Sequence, residues 1–196
     1  MSNKRREFLK LSGLAGLGVV GTGFKGLSLE EQNKVLAQSK RSHTQRFNMS
    51  GYAAPKLDVV RIGIVGLGSR GPGAVNRLSK IEGVEIKALC DLLPEMVNKV
   101  VKSLEGTSHT PDTYSGSSYA WKEMMDRDDL DLIYIATPWE WHTPMAVYAM
   151  EAGKHSCCEV PIAVTLEECW QLVETSERTK KHCMMMENCC YDFFEL

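Results

Sequence analysis

From residue 58 onward, short β-branched apolar runs alternate with longer segments whose apolar positions recur every three or four residues. The short runs predict buried parallel strands and the longer segments predict amphipathic helices. The predicted strands are 58–65, 84–90, 131–136, 155–158 and 183–186. The predicted helices are 71–80, 94–105, 118–127, 144–152 and 166–181, and another is expected to begin near Cys190. This alternation favours an α/β fold with a doubly wound parallel sheet.

The first 57 residues lack this alternation and begin as an export signal does. Lys4-Arg5-Arg6-Glu7-Phe8-Leu9-Lys10 precedes a glycine-rich apolar run from Leu11 to about Phe24, which is too short for a membrane span of about 20 apolar residues. The arginine pair resembles a twin-arginine signal, although Lys4 stands where Ser or Thr is usual. We expect a signal peptide over 1–37, ending at the weak site Val35-Leu36-Ala37, and a polar linker over 38–57. A disordered basic N-terminus is the alternative.

Composition and charge narrow the class of protein. The 196 residues are 43% hydrophobic and 24% charged, an ordinary globular balance. The net charge of -2 divides into +7 over residues 1–56 and -9 over the remainder. Because the basic charge lies in the leader, we expect no nucleic-acid partner, and the short apolar run predicts no stable membrane insertion. The expected location is periplasmic or secreted.

A glycine motif follows the first strand. Gly66-Leu67-Gly68-Ser69-Arg70-Gly71 has the spacing of the Rossmann dinucleotide fingerprint and lies between a predicted strand and a predicted helix. In that fingerprint Gly66 permits a tight turn, Gly68 lets the backbone approach a pyrophosphate, and Gly71 lets helix and strand pack closely. The helix N-terminus would take the pyrophosphate. A glycine turn in an unrelated α/β domain is the alternative.

Asp91 ends the second strand, where the fingerprint places an acidic residue. Its carboxylate would accept hydrogen bonds from the adenosine ribose and repel a 2′-phosphate, which favours NAD over NADP. Arg70 tempers this preference, because a guanidinium near that ribose can hold a 2′-phosphate.

A second group of motifs carries a family resemblance. Ala136-Thr137-Pro138 is followed by His142, then by Gly153-Lys154-His155 and by Glu159-Val160-Pro161. This order resembles the Gfo/Idh/MocA oxidoreductase-like family over residues 58–196. The resemblance implies a lysine at position 160 that works beside the nicotinamide in the family's sugar dehydrogenases. Val160 can neither donate nor accept a proton, so an ordinary alcohol dehydrogenase mechanism is not favoured.

One branch of that family is closer. Trp139-Glu140-Trp141-His142, combined with Glu159-Val160-Pro161 and Glu187-Asn188, looks like glycoside hydrolase family 109. The resemblance implies a glycosidase that removes terminal α-N-acetylgalactosamine by NAD-dependent oxidation, elimination, addition and reduction. NAD-dependent glycosidases are exceptions to the rule of two catalytic carboxylates, since the cofactor performs the difficult step.

By match to the family motifs, the NAD site comprises Gly66, Gly68, Ser69, Arg70, Gly71, Asp91, Trp139, Glu140, Trp141, His142, Glu159, Val160 and Asn188. Trp139 and Trp141 are interpreted as walls of the cleft. A simpler interpretation of His142 is a histidine at a helix start bonded to backbone. Met184, Met185 and Met186 are interpreted as a core strand.

The seven cysteines do not predict a metal site. Cys157-Cys158 and Cys189-Cys190 are adjacent pairs, and no C-x-x-C spacing occurs. Neighbours on a strand point to opposite faces, so Cys157 and Cys158 would not chelate one metal ion. We expect buried free thiols, with a disulfide as the alternative in an oxidising compartment.

The resemblance also sets the expected domain boundaries. Residues 58–188 would form the NAD-binding Rossmann domain, and 189–196 would begin the connection to a mixed α/β substrate domain that this chain lacks. The catalytic residues are therefore expected beyond Leu196. Two alternatives remain, namely an exported NAD-dependent sugar or cyclitol oxidoreductase and a non-catalytic nucleotide-binding fragment. The expected partner is a glycan or glycoside, and a homo-oligomer is left open.

Overall fold

The computed structural model describes Ser28, Glu30, Asn33 and residues 43–189. The chain divides into two compact units, 1–42 and 43–196. Apart from the three positions just named, the predicted signal peptide lies outside the described residues, as does the helix predicted near Cys190. Within the described part, no helix has the length and apolar character needed to cross a membrane.

The second unit is built on one sheet of six parallel strands. Their order is β3-β2-β1-β4-β5-β6, the doubly wound Rossmann order, and it confirms the predicted fold class. The strands are β1 (Val60–Val65), β2 (Val84–Cys90), β3 (Asp112–Tyr114), β4 (Leu132–Ile135), β5 (His155–Cys158) and β6 (Cys183–Met185). Val65 lies opposite Cys90 on one side and Ile135 on the other, so β1, β2 and β4 end level with one another. Ligands of such sheets bind where the strand order reverses, between β1 and β4.

Helices cover the sheet on both faces. They are α1 (Gly71–Leu78), α2 (Pro94–Ser103), α3 (Ala120–Met125), α4 (Trp139–Glu151) and α5 (Leu166–Thr179). Buried side chains of α1 and α2 pack with β1 and β2 on one face, and those of α3, α4 and α5 pack on the other. A capping box joins Thr165 and Glu168 at the start of α5, and Lys180 ends that helix in a left-handed conformation.

Two elements differ from the sequence prediction by more than two residues. β3 was not predicted, because three residues with two exposed side chains give no hydrophobic alternation. α4 begins at Trp139, whereas the sequence suggested Pro144, a residue that usually occupies a first helical turn. Pro144 instead lies inside the helix. The corrected start places Trp139 to His142 in the first turn of α4.

Part of the predicted linker packs on the domain. His43 stacks on Trp170 of α5 with ring centroids 5.0 Å apart, and its Nε2 lies 3.1 Å from the Glu177 carboxylate. The backbone N–H of Arg46 donates to the same carboxylate at 2.9 Å. Aromatic contacts of Tyr52 continue this packing. The segment from His43 to Tyr52 therefore packs on α5 and on His182 after it, which its polar composition did not indicate.

The methionine strand is confirmed as a strand, but its interpretation as core was wrong for two residues. Met184 and Met185 are 55% and 45% exposed. β6 is the outermost strand on its side of the sheet among the described residues, so its side chains have fewer neighbours than those of β4 or β5.

Candidate dinucleotide site

The glycine loop, residues 66–71, joins β1 to α1. Gly66 has a φ of 89°, and a Cβ there would collide with the backbone of Ala136 at the end of β4. A Cβ on Gly71 would collide with the Gly66 carbonyl oxygen, which would separate α1 from the loop. A Cβ on Gly68 would meet nothing within 4 Å, because this backbone faces an open cleft. Gly66 and Gly71 are thus required by the protein itself, for the turn and for the packing of α1, whereas Gly68 leaves space that a pyrophosphate could occupy.

The N-terminus of α1 faces this loop. The helix begins at Gly71 with Pro72 in its first turn, and no side chain caps it. The preceding residues Ser69 and Arg70 are exposed. Backbone N–H groups at an uncapped helix start, together with the positive end of the helix dipole, favour a phosphate group.

Asp91 follows β2, and its carboxylate already accepts two backbone hydrogen bonds. The N–H of Leu67 donates to Oδ2 at 2.6 Å, and the N–H of Leu93 donates to Oδ1 at 2.9 Å. The first bond ties Asp91 to the glycine loop. Because an ionised carboxylate offers about four acceptor positions, the predicted ribose contact remains compatible with both bonds.

A cleft of about 570 Å³ runs along the carboxyl ends of β1, β2 and β4, a size usual for small-molecule sites. The predicted site residues that line it are Gly66, Gly68, Ser69, Asp91 and Trp141. The other lining residues are Val65, Cys90, Leu92, Leu93, Ser117, Ser118, Trp121, Ala136, Thr137, Pro138 and Met145. Sequence reasoning missed Ser117, Ser118 and Trp121, because the unrecognised strand β3 is what carries the chain to this wall.

The remaining predicted site residues lie outside the lining. They are Arg70, Gly71, Trp139, Glu140, His142, Glu159, Val160 and Asn188. Trp139 is 63% exposed and follows Pro138, so it stands at the rim. Asn188 is exposed beyond β6, and its amide donates to the Cys189 sulfur at 3.6 Å. The structure does not bring Asn188 into the cleft.

The structure does not support the prediction that the His142 side chain contacts the cofactor. It is only 1% exposed, and both ring nitrogens lie 2.7 Å from backbone carbonyl oxygens, Nδ1 from Pro161 and Nε2 from Thr137. The interpretation as a helix-start histidine bonded to backbone describes it correctly. His142 therefore supports the wall of the cleft from behind.

Glu159 and Val160 follow β5. The hydroxyl of Tyr134 donates to Glu159 Oε1 at 2.7 Å. Burial and then the bond to this carboxylate raise the pKa of Tyr134 well above its usual range, so the tyrosine stays a neutral donor. Val160 is 39% exposed and apolar.

Thiol chemistry is not favoured at the cleft. Cys90 lines it, but burial, followed by the charge of Asp91, raises the pKa of this thiol to about 12. Burial likewise raises the pKa of Cys157 to about 12. Cys90, Cys157 and Cys158 are buried free thiols, as expected, whereas the free thiols of Cys169 and Cys189 are exposed and that of Cys183 is partly buried, so the expectation of burial was wrong for these. Among the described residues, no group of three or more His, Cys, Asp or Glu side chains is arranged to hold a metal ion.

These features fit a dinucleotide. Gly68 leaves room for the pyrophosphate, the start of α1 provides N–H donors for it, and Asp91 provides acceptors for a ribose. Comparison with known proteins agrees. Residues 60–187 match the Gfo/Idh/MocA family model, described as an oxidoreductase family with an NAD-binding Rossmann fold.

Relatives extend the match. Over 144 residues the chain is 60% identical to a glycosyl hydrolase family 109 protein of Porphyromonas gingivalis, covering 72% of this chain and 31% of the relative. It is 43% identical over its whole length to a glycosyl hydrolase family 109 protein of Shewanella pealeana, of which it covers 42%. Among solved structures, myo-inositol 2-dehydrogenase of Lactobacillus plantarum is similar, with a TM-score of 0.59, 27% identity and coverage of 69% and 38%.

The chain spans between about a third and two fifths of the length of these curated relatives. The match to the Shewanella pealeana relative spans the whole chain and the family model covers residues 60–187, so both include β1 to β6, the glycine loop and the cleft. The chain therefore belongs to the Gfo/Idh/MocA oxidoreductase family, as one of its NAD-binding Rossmann domains.

Proposed function

We propose that this chain is the NAD-binding part of a glycosidase that hydrolyses terminal α-N-acetylgalactosamine residues. The observation that carries the proposal is Val160, an aliphatic side chain 39% exposed at the end of β5. A dehydrogenase of this family would use a lysine there to move a proton. The names of the relatives, glycosyl hydrolase family 109, support the same assignment.

The side chains nearest to that position differ from such a lysine in how they are held. Glu159 accepts a hydrogen bond from the Tyr134 hydroxyl and lies outside the cleft lining, and His142 is buried against two carbonyl groups. Asp91 is the sole carboxylate among the described residues that line the cleft, and it lies at the ribose end. We therefore propose that the base that removes a sugar proton lies in the part of the relatives that this chain does not cover, and that this chain alone binds NAD without turnover.

The proposed division of labour follows from these positions. The chemistry supplied by NAD when bound would be hydride transfer at carbon 3 of the sugar, first as oxidation and at the end of the cycle as reduction. This chain would hold the pyrophosphate on the glycine loop, orient the adenosine ribose through Asp91, and present an apolar surface at Val160, which can neither donate nor accept a proton.

Solvent isotope incorporation tests the reaction class. The protein should be one that carries this chain together with the remaining length of its relatives, and the substrate an aryl α-N-acetylgalactosaminide in deuterated water. Oxidation at carbon 3 acidifies the hydrogen on carbon 2, so elimination and re-addition should place deuterium there without net NADH. Normal hydrolysis with all hydrogen retained at carbon 2 would contradict the proposal.

A second candidate is an exported sugar or cyclitol oxidoreductase. The structural similarity to a myo-inositol 2-dehydrogenase favours it. This enzyme would accumulate NADH in proportion to oxidised substrate, so absorbance of NADH during turnover separates the two candidates. A protein that binds NAD but shows neither reaction would be a nucleotide-binding module.

We also propose export by the twin-arginine route, which carries folded proteins and would suit one that acquires NAD in the cytoplasm. Support comes from Arg5 and Arg6 before the apolar run, and from a relative similar over the whole chain, leader included. Replacing Arg5 and Arg6 with Lys keeps the charge but removes the guanidinium pair. The variant should remain in the cytoplasm while the parent reaches the periplasm. Equal periplasmic amounts would exclude this route.

A further inference from the structure

The segment that follows β5, residues 159–162, is contacted by three buried side chains, Tyr134 of β4 and His142 and Thr143 of α4, and we call it the β5 loop. Its backbone continues β5 at Glu159, whose N–H donates to the Ile135 carbonyl at 2.9 Å. Val160 is the exposed member of the loop, whereas its neighbours are engaged as described next.

Each engaged residue of the loop contacts a different side chain. Tyr134 donates to the Glu159 carboxylate at 2.7 Å, and Thr143 Oγ1 donates to the Ile162 carbonyl at 2.9 Å. His142 Nδ1 lies 2.7 Å from the carbonyl of the intervening Pro161. Tyr134, His142 and Thr143 are 3%, 1% and 1% exposed, so water does not compete for these bonds.

His142 also contacts the wall of the cleft. His142 Nε2 lies 2.7 Å from the carbonyl oxygen of Thr137, which lines the cleft after β4. A neutral imidazole has one N–H and carbonyl oxygens only accept, so it satisfies one of these carbonyls at a time. The Thr143 hydroxyl has a single carbonyl partner here, which makes it the simpler residue to perturb.

The strand order indicates which part of a bound dinucleotide would lie near the β5 loop. Asp91 after β2 is placed for the adenosine ribose, and the glycine loop after β1 is placed for the pyrophosphate. The strand order continues from β1 to β4 and then to β5. A dinucleotide bound in this order would extend its nicotinamide half towards the end of β4, where Ala136, Thr137 and Pro138 line the cleft, and towards the neighbouring β5.

We propose that Tyr134, His142 and Thr143 are positioning residues that hold the β5 loop so that Val160 faces the nicotinamide half of NAD. They act through the loop and not by touching the cofactor. The inference depends on NAD binding and not on the glycosidase assignment, so failure of one leaves the other standing.

Two ligands separate positioning from general stability. NAD contains the nicotinamide, and ADP-ribose contains the same adenosine, pyrophosphate and terminal ribose without it. Thr143→Val removes the hydroxyl with little change of shape, and Thr143→Ser retains it. Thr175→Val is the matched control, because Thr175 is a 5% exposed threonine of α5 and does not line the cleft.

Calorimetric titration of the whole chain should show NAD binding about five- to tenfold weaker for Thr143→Val, the usual effect of one hydrogen bond. ADP-ribose affinity should change less than twofold, Thr143→Ser should restore NAD affinity, and Thr175→Val should leave both ligands unaffected. Equal losses for NAD and ADP-ribose, or no loss for either, would overturn the proposal. If Thr143→Val does not fold, Tyr134→Phe gives the same test. It should weaken NAD binding and leave ADP-ribose binding nearly unchanged, and equal losses for both ligands, or no loss for either, would again overturn the proposal.

Discussion

Removing the carboxylate of Asp91 should weaken NAD binding and narrow the preference for NAD over NADP. Asp91→Ala removes the acceptors predicted for the ribose hydroxyls and also the bond to Leu67 that ties them to the glycine loop. Hydrogen bonds to a charged group contribute about 1.5–3 kcal/mol, and each 1.4 kcal/mol is a factor of ten. We therefore expect the Kd for NAD to rise about 10- to 150-fold.

The preference for NAD over NADP should narrow for an electrostatic reason. A ribose 2′-phosphate placed beside Asp91 would bring two anionic groups together, and Asp91→Ala removes that repulsion. NADP affinity should therefore fall less than NAD affinity, or rise. Asp91→Asn should be intermediate, because its amide keeps one acceptor oxygen while its NH2 group cannot accept from the N–H of Leu67 or Leu93.

Calorimetric titration with NAD, NADP and ADP-ribose measures these effects, with the exposed Asp128→Ala as control. ADP-ribose should lose as much affinity as NAD, since both carry the adenosine ribose. Thermal unfolding without ligand reports separately on the lost loop bond. Unchanged NAD affinity, or a loss confined to NAD and absent for ADP-ribose, would remove Asp91 from the adenosine end of the site.

Three further predictions concern the glycine loop, the stability of the fold in acid, and Val160. Gly71→Ala should lower the free energy of unfolding in urea by about 1–3 kcal/mol, because the added Cβ meets a backbone carbonyl. Gly73→Ala is the control and should be neutral or stabilising, because its Cβ lies inside α1 and meets only the flexible end of an arginine side chain. The hydrogen bond from the Arg61 guanidinium holds the pKa of the Asp131 carboxyl below its usual value, so the stability it provides is present above about pH 4 and is lost as the pH falls through the lowered pKa. Asp131→Asn should therefore lower the free energy of unfolding at pH 7, and the difference from the parent protein should disappear in acid. Val160→Lys should weaken NAD binding relative to NADH by about fivefold, since charges a few ångströms apart in solvent interact by about 1 kcal/mol, and Val164→Lys should not; an unchanged ratio would contradict the placement of Val160.

The sequence predicted those parts of the fold whose signal is local. The run from Val60 to Val65 is β-branched and apolar, and the glycine spacing that follows it is a property of six consecutive residues. Fold class and the glycine loop were accessible for that reason. β3 was not, because a three-residue edge strand has too few side chains to show a period.

The parts that sequence reasoning misplaced depend on partners far along the chain. His142 is 19 residues from Pro161, whose carbonyl it contacts, and nothing in the first turn of a helix reveals that neighbour. The attachment of His43 to Glu177 spans 134 residues. Contacts of this kind arise from packing, so a motif identifies such residues without assigning their role.

The two ends of the cleft are held in different ways, and this difference carries the functional argument. At the adenosine end Asp91 bonds the glycine loop directly and keeps free acceptors for the ligand. Beside the cleft, Tyr134 donates to Glu159 and His142 lies against the Pro161 carbonyl, so both contact the loop that contains Val160. Val160 is the exposed member of that loop, and its side chain is aliphatic. A site built in this way can hold a nicotinamide while leaving the proton transfers to groups outside the Rossmann domain, as a glycosidase that retains its cofactor would require.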